Sequence, residues 1–106
     1  MTIIRVYRCT VIAGQEDAFH QYAFSTSHPR IRERPGLTAF YAGRSLPDSG
    51  GRERCMVQLW ESPEALQAAL GPAWREPPVL PPEAQVLIEA QSVEHYELRD
   101  TFHAAP

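Results

Sequence analysis

From Cys55 to Leu70 the chain reads CMVQLWESPEALQAAL, a strand made for burial that runs straight into a well-signalled helix start. In an extended backbone Cys55, Val57 and Leu59 point to one side and Met56, Gln58 and Trp60 to the other. Both sets are mainly apolar. A sheet with one wet face alternates apolar and polar residues, so this strand asks for cover on each side. Thr2 to Val11 makes the same demand, because Ile3, Ile4, Val6, Tyr7, Cys9 and Val11 are strand formers spread over both faces. At 106 residues the chain has enough material for one domain and one core, with little left to cover a second face.

Local chemistry places the remaining elements. Gly14 ends the first strand, and Gln15, Glu16 and Asp17 put acidic side chains where a helix macrodipole favours them. Phe19, Tyr22, Ala23 and Thr26 then share one helical arc, which Phe24 and Ile31 widen. Pro29 predicts a kink or a restart after Ser27, and Pro35-Gly36 an end. Leu37 to Ser45 reads as a second strand and Arg52 to Trp60 as a third, joined in a hairpin by LPDSGG. Ser62-Pro63-Glu64 supplies a capping hydroxyl, a proline at the first helical position and an acid in the first turn, so a helix should run to about Leu70. Five prolines between Gly71 and Pro82 predict a loop that carries Trp74 and Arg75 on a short turn and is placed to act as a lid. Glu83 to Ala90 reads as a short helix, although residues 86–88 fit an extended chain equally well. Ser92 to Arg99 is the last strand, which closes a domain of residues 1–99 ahead of a tail at 100–106.

The order is βαββαβ: a ferredoxin-like α+β domain whose four-stranded antiparallel sheet has helices on one face. The other face, equally apolar in the first and third strands, predicts a homodimer with two sheets packed face to face.

Composition excludes several classes. No apolar run approaches the roughly 20 residues of a membrane span. Ten basic and thirteen acidic residues leave a net charge of −3 with no basic block, which argues against nucleic acid and membrane surfaces as partners. The N-terminal residues lack a leader pattern, so the cytoplasm is the expected compartment. Cys9 and Cys55 sit in strand-like runs and read as core thiols, and four scattered histidines offer no metal-binding spacing.

The segments IIRVYRCTVIAGQEDAF, RPGLTAFYAGRS, VQLWESPEAL and VEHYEL resemble the antibiotic biosynthesis monooxygenase domain, over nearly all of Ile3 to Leu98. The resemblance implies a dimeric α+β barrel. It also implies one of several activities: cofactor-independent oxidation of aromatic or quinol-type molecules, haem degradation, or none established. The haem-degrading members share an Asn late in the first strand, a Trp on the second helix and a His beyond it. Here the corresponding places fall near Tyr7 and Ala69, Trp74 follows, and the chain contains no Asn.

Candidate residues follow from chemistry. His95, in mid-strand on the face of Val93 and Glu97, and His20, on the helix arc, are candidate bases for a phenolic proton. Core or surface histidines of no function are the plainer reading of both, and His28, held before Pro29, has the same standing as His20, with a cap or surface position as its plainer reading. Trp60, Trp74, Tyr7 and Tyr22 are candidates to wall a pocket for a flat ligand, against a plain core-packing role. Three functional readings stand: a small aromatic or quinol-type substrate oxidised without metal or cofactor, a dimer that binds a hydrophobic small molecule without turnover, and a haem-binding protein.

Overall fold

Four strands make one antiparallel sheet in the computed structural model, which describes all residues from Met1 to Pro106. The strands are β1 (Ile3–Val11), β2 (Leu37–Arg44), β3 (Glu53–Trp60) and β4 (Ile88–Glu97), in the order β2-β3-β1-β4. The two strands predicted to need double cover, β1 and β3, are the central pair, with Val6 opposite Val57 and Tyr7 opposite Met56. Between β1 and β2 runs one helical stretch: α1 (Glu16–Tyr22), a π-helical segment (Ala23–Ser27) and α2 (His28–Arg32). Helix α3 (Pro63–Leu70) follows β3, and the short α4 (Pro82–Gln85) precedes β4. Residues 98–106 carry no regular structure.

The helix signals act as read. The Ser62 hydroxyl accepts from the Ala65 amide at 3.0 Å, and Pro63 opens α3. Gly36 takes φ +89°, and a Cβ there would stand 2.6 Å from the Cβ of Ala65, so only glycine lets the entry to β2 pass this close to α3.

Two local expectations need refinement. The α-helix does restart after Ser27, at His28 with Pro29 in its first turn, but what precedes it is π geometry, in which the His28 amide reaches back five residues to the Ala23 carbonyl. A proline ring crowds the carbonyl four residues before it, and a wider turn relieves that crowding. The last strand also begins earlier than read, at Ile88 rather than Ser92. Ile88 pairs with Val11 across a register shift at Thr10/Val11, which draws the extended alternative for residues 86–88 into the sheet.

Every helix lies on the same side of the sheet. The inward side chains of β1 are Ile3, Arg5, Tyr7, Cys9 and Val11, all buried. Ile3 joins Trp60, Leu66 and Trp74 in the main core cluster. The opposite face carries Ile4, Val6, Val57, Leu59, Tyr41 and Tyr96, brought together by strand register, with no element of this chain over them. Cys55 belongs to that uncovered face and is only half-buried, which corrects its reading as a core thiol; Cys9 is buried and burial raises its pKa.

Candidate functional site

The sheet and the helical layer enclose a cavity of about 600 Å³. Register sets its floor. Opposite residues in an antiparallel sheet point the same way, so the rung Phe40, Gln58, Arg5 and His95 crosses the inner face, followed by Ala42, Met56, Tyr7 and Val93; of these Gln58, Arg5, Ala42, Met56 and Tyr7 line the cavity. The roof comes from the long helical stretch, with Phe19, His20, Tyr22, Phe24 and His28. The proline-rich strap between α3 and α4 closes one side through Pro78, Val79, Leu80 and Pro81.

Three polar side chains within this apolar surround are almost fully buried: Arg5 at 5%, His28 at 7% and Gln58 at 4% exposure. Arg5 uses only Nη1 in the protein, donating to the Trp74 carbonyl at 2.7 Å and to Nε2 of His95 at 2.8 Å. Gln58 accepts the Trp60 indole N–H on Oε1 at 2.9 Å, a donor-only partner that fixes which end of the amide points there. No sealed side-chain nitrogen or oxygen lacks a partner. The Nε and Nη2 of Arg5, the Gln58 amide nitrogen and the ring nitrogens of His28, which have no partner in the protein, are therefore not sealed, and all three residues line the cavity.

Arginine has no acceptor, so its bond to His95 makes Nε2 the acceptor and leaves the proton on Nδ1. Burial, reinforced by Arg5 and Arg75, holds His95 down to about 4, neutral at pH 7. Its ring meets Trp74 edge-on at 4.7 Å. The His28 pKa is also lowered, by burial first and then by Arg32 and His20. His28 stands in an aromatic column: His20 to Phe24 at 4.4 Å, Phe24 to His28 at 4.9 Å and His28 to Phe40 at 5.0 Å. Burial raises the Tyr7 pKa, and its hydroxyl donates to Gln91 Oε1 at 2.7 Å. Gln91 in turn donates from Nε2 to the Pro78 carbonyl at 2.6 Å, tying the strap to the sheet.

Of the residues singled out from sequence, Tyr7, Tyr22, Trp60 and His20 line the cavity. His20 does so from an exposed position near its mouth. His95 and Trp74 do not line it. Trp74 is taken up by the core with Ile3, Trp60 and Leu66, and the one lone pair with which His95 would act as a base is occupied by Arg5. The sequence reading passes over Arg5 and Gln58, although a signal existed for both: a charge and an amide at inward positions between apolar neighbours, Ile3 and Tyr7, Met56 and Trp60. His28 is buried rather than the cap or surface residue of its plainer reading. A single helical period carried through Phe19 puts it on the far side. One extra residue in the π segment turns it back by about 100°. No three His, Cys, Asp or Glu side chains converge on a common point.

The fold defines the class: a ferredoxin-like α+β domain with a four-stranded antiparallel sheet, the fold that the sequence resemblance implied. Among solved structures, SnoaB of Streptomyces nogalater, a cofactor-independent oxygenase, is similar over 94% of this chain and 95% of its own, with 18% identity and a TM-score of 0.67. A point mutant of MhuD, solved with two manganese protoporphyrin IX molecules per active site, is similar over 96% and 99%, with 21% identity and a TM-score of 0.69. A Deinococcus radiodurans protein provisionally named an antibiotic biosynthesis monooxygenase matches over 98% and 99%, with 14% identity and a TM-score of 0.68. These likenesses establish a shared fold. No family model matches the sequence, and no curated protein does. No helix is long and apolar enough to cross a membrane.

Proposed function

We propose that this chain is a cofactor-independent monooxygenase that oxidises a small aromatic, quinol-type molecule in the cavity between helices and sheet. The observation that carries this reading is the cavity itself: about 600 Å³, lined by apolar side chains for just over half, with a neutral buried imidazole and a buried guanidinium among its polar lining. Apolar volumes of this size with a few convergent polar groups are the usual form of a small-molecule site. The fold likeness to a protein described as a cofactor-independent oxygenase supports the same class.

The base is His28, which can accept a proton at pH 7 because it is held neutral. His20 is placed to assist at the mouth, and Tyr7, Tyr22 and Trp60 shape the cage. The proton lost is that of an activated CH₂ or hydroxyl group. The resulting anion passes one electron to dioxygen, and the two radicals combine as a carbon-bound peroxide. The proton held on His28 converts it to a hydroperoxide, which loses water to leave a carbonyl. One dioxygen is consumed and one water released for each CH₂ that becomes C=O, so no external reductant enters. The test is dioxygen uptake with a panel of anthrones and hydroquinols: a saturable rate lost in His28→Phe supports the scheme, and binding without uptake marks a non-catalytic binder.

The working unit of this reading is a homodimer, since the uncovered face presents an apolar band across all four strands, Ala39, Leu59, Ile4 and Tyr96 in one rung and Tyr41, Val57 and Val6 in the next. A second reading, haem as the ligand, is favoured by one observation: His28 is a buried imidazole with free ring nitrogens inside a cavity lined by aromatic rings. A haemin titration separates it, because a histidine-ligated haem gives a saturable Soret band.

A further inference from the structure

Arg5 and Gln58 are directly opposed on β1 and β3 and share the cavity floor. Each has its protein-facing side settled through one atom: Arg5 through Nη1, Gln58 through Oε1. What remains of Arg5 is N–H only, and what remains of Gln58 is its amide N–H groups and one lone pair on Oε1. The pair therefore presents mainly donors to the floor. No carboxylate pairs with Arg5, as the chain's two ion pairs are Arg8–Glu94 and Arg52–Glu89. The titratable groups next to Arg5 are Tyr7 on its own strand, His95 on β4 with Arg75 behind it, and His28 and Tyr22 from the roof. Two carboxylates, Glu16 and Asp17 at the start of α1, also line the cavity, but Glu16 acts on Arg54 and no carboxylate acts on Arg5.

A buried cation without a counter-ion costs several kcal/mol unless something pairs with it, and oriented N–H donors in a dry site favour an oxygen that bears charge. We propose that the Arg5–Gln58 pair is an oxyanion receptor, so that the cavity takes its aromatic ligand as the deprotonated phenolate or enolate. This deepens the oxygenase reading and rests on it: the receptor would hold the electron-rich form that dioxygen attacks.

The test titrates the protein with 4-nitrophenol from pH 5 to 9 and follows the visible band of its anion. The expected result is that the anion binds about tenfold or more tightly than the neutral phenol, so the bound phenol ionises about one pH unit or more lower than in buffer. Gln58→Glu keeps an oxygen for the Trp60 indole and puts a negative charge beside Arg5; it should abolish the preference while the neutral phenol still binds. Arg5→Lys should keep part of it and Arg5→Met none. Should Arg5→Met fail to fold, wild type against Gln58→Glu decides. Binding with no shift, or with the same shift in Gln58→Glu, overturns the receptor and leaves the cavity reading intact. No binding at any pH overturns both.

Discussion

Replacing Arg5 by methionine separates a structural role for this guanidinium from a functional one. The side chain makes two hydrogen bonds from a charged donor, to the Trp74 carbonyl and to His95. Such bonds contribute about 1.5–3 kcal/mol each, so the gross loss is about 3–6 kcal/mol. Against this, the substitution removes a charge that is only 5% exposed and has no acidic partner, a desolvation cost of several kcal/mol. The unbranched methionine also refills the space of the arginine stem. The terms nearly offset, and Arg5→Met should unfold within about 1–2 kcal/mol of wild type. Leu66→Ala sets the scale, because Leu66 is fully buried against Ile3, Trp60 and Trp74 and its truncation should cost about 2–5 kcal/mol. Urea unfolding of the three proteins, with the slope unchanged, gives the comparison. Nuclear magnetic resonance should also show His95 titrating higher in Arg5→Met, since one of the charges that depress it is gone. An Arg5→Met loss equal to that of Leu66→Ala would refute the reasoning and make the guanidinium a strut.

Further outcomes follow from the same geometry. Because the folded pKa of His95 is about 4 and that of His28 is also below its ordinary value, the unfolded chain binds protons first as pH falls. Their contribution is complete above about pH 6.5 and is lost towards pH 4, so the urea midpoint should drop across that window; a flat profile from about pH 7 to 4.5 contradicts this. Val57→Glu, in the middle of the uncovered face, places a carboxylate at the proposed contact twice in a symmetric pair; sedimentation should show a dimer for wild type and a folded monomer for the variant. Gln91→Ala cuts the link from Tyr7 to the Pro78 carbonyl. With the strap end exposed to water the loss is about 1 kcal/mol, and amide exchange between residues 76 and 81 should quicken about fivefold while the centre of β1 stays protected.

The fold was legible because its determinants are local or periodic: Ser62-Pro63-Glu64 at a helix start, LPDSGG in a hairpin, and inward and outward apolar sets on β1 and β3. The strand that begins at Ile88 was not, since VLI fits either state and the choice falls to its pairing with Val11. The site was less legible for a related reason. Tyr7, Tyr22, Trp60 and His20 follow from strand alternation and one helical period, but His28 enters only through a π segment that no periodicity announces. His95 and Trp74 looked free in sequence because nothing there reveals that Arg5, 90 and 69 positions away, occupies the His95 lone pair and holds the Trp74 carbonyl.

The central claim is that this cavity oxidises an aromatic ligand with dioxygen, and uptake in an oxygen electrode, with anthrones and hydroquinols as substrates and no metal or flavin added, tests it most directly. The account expects a saturable rate above the spontaneous one, one dioxygen per product, and a large loss in His28→Phe at unchanged stability. A rate no faster than buffer for every compound that binds, or one untouched by His28→Phe, would contradict it.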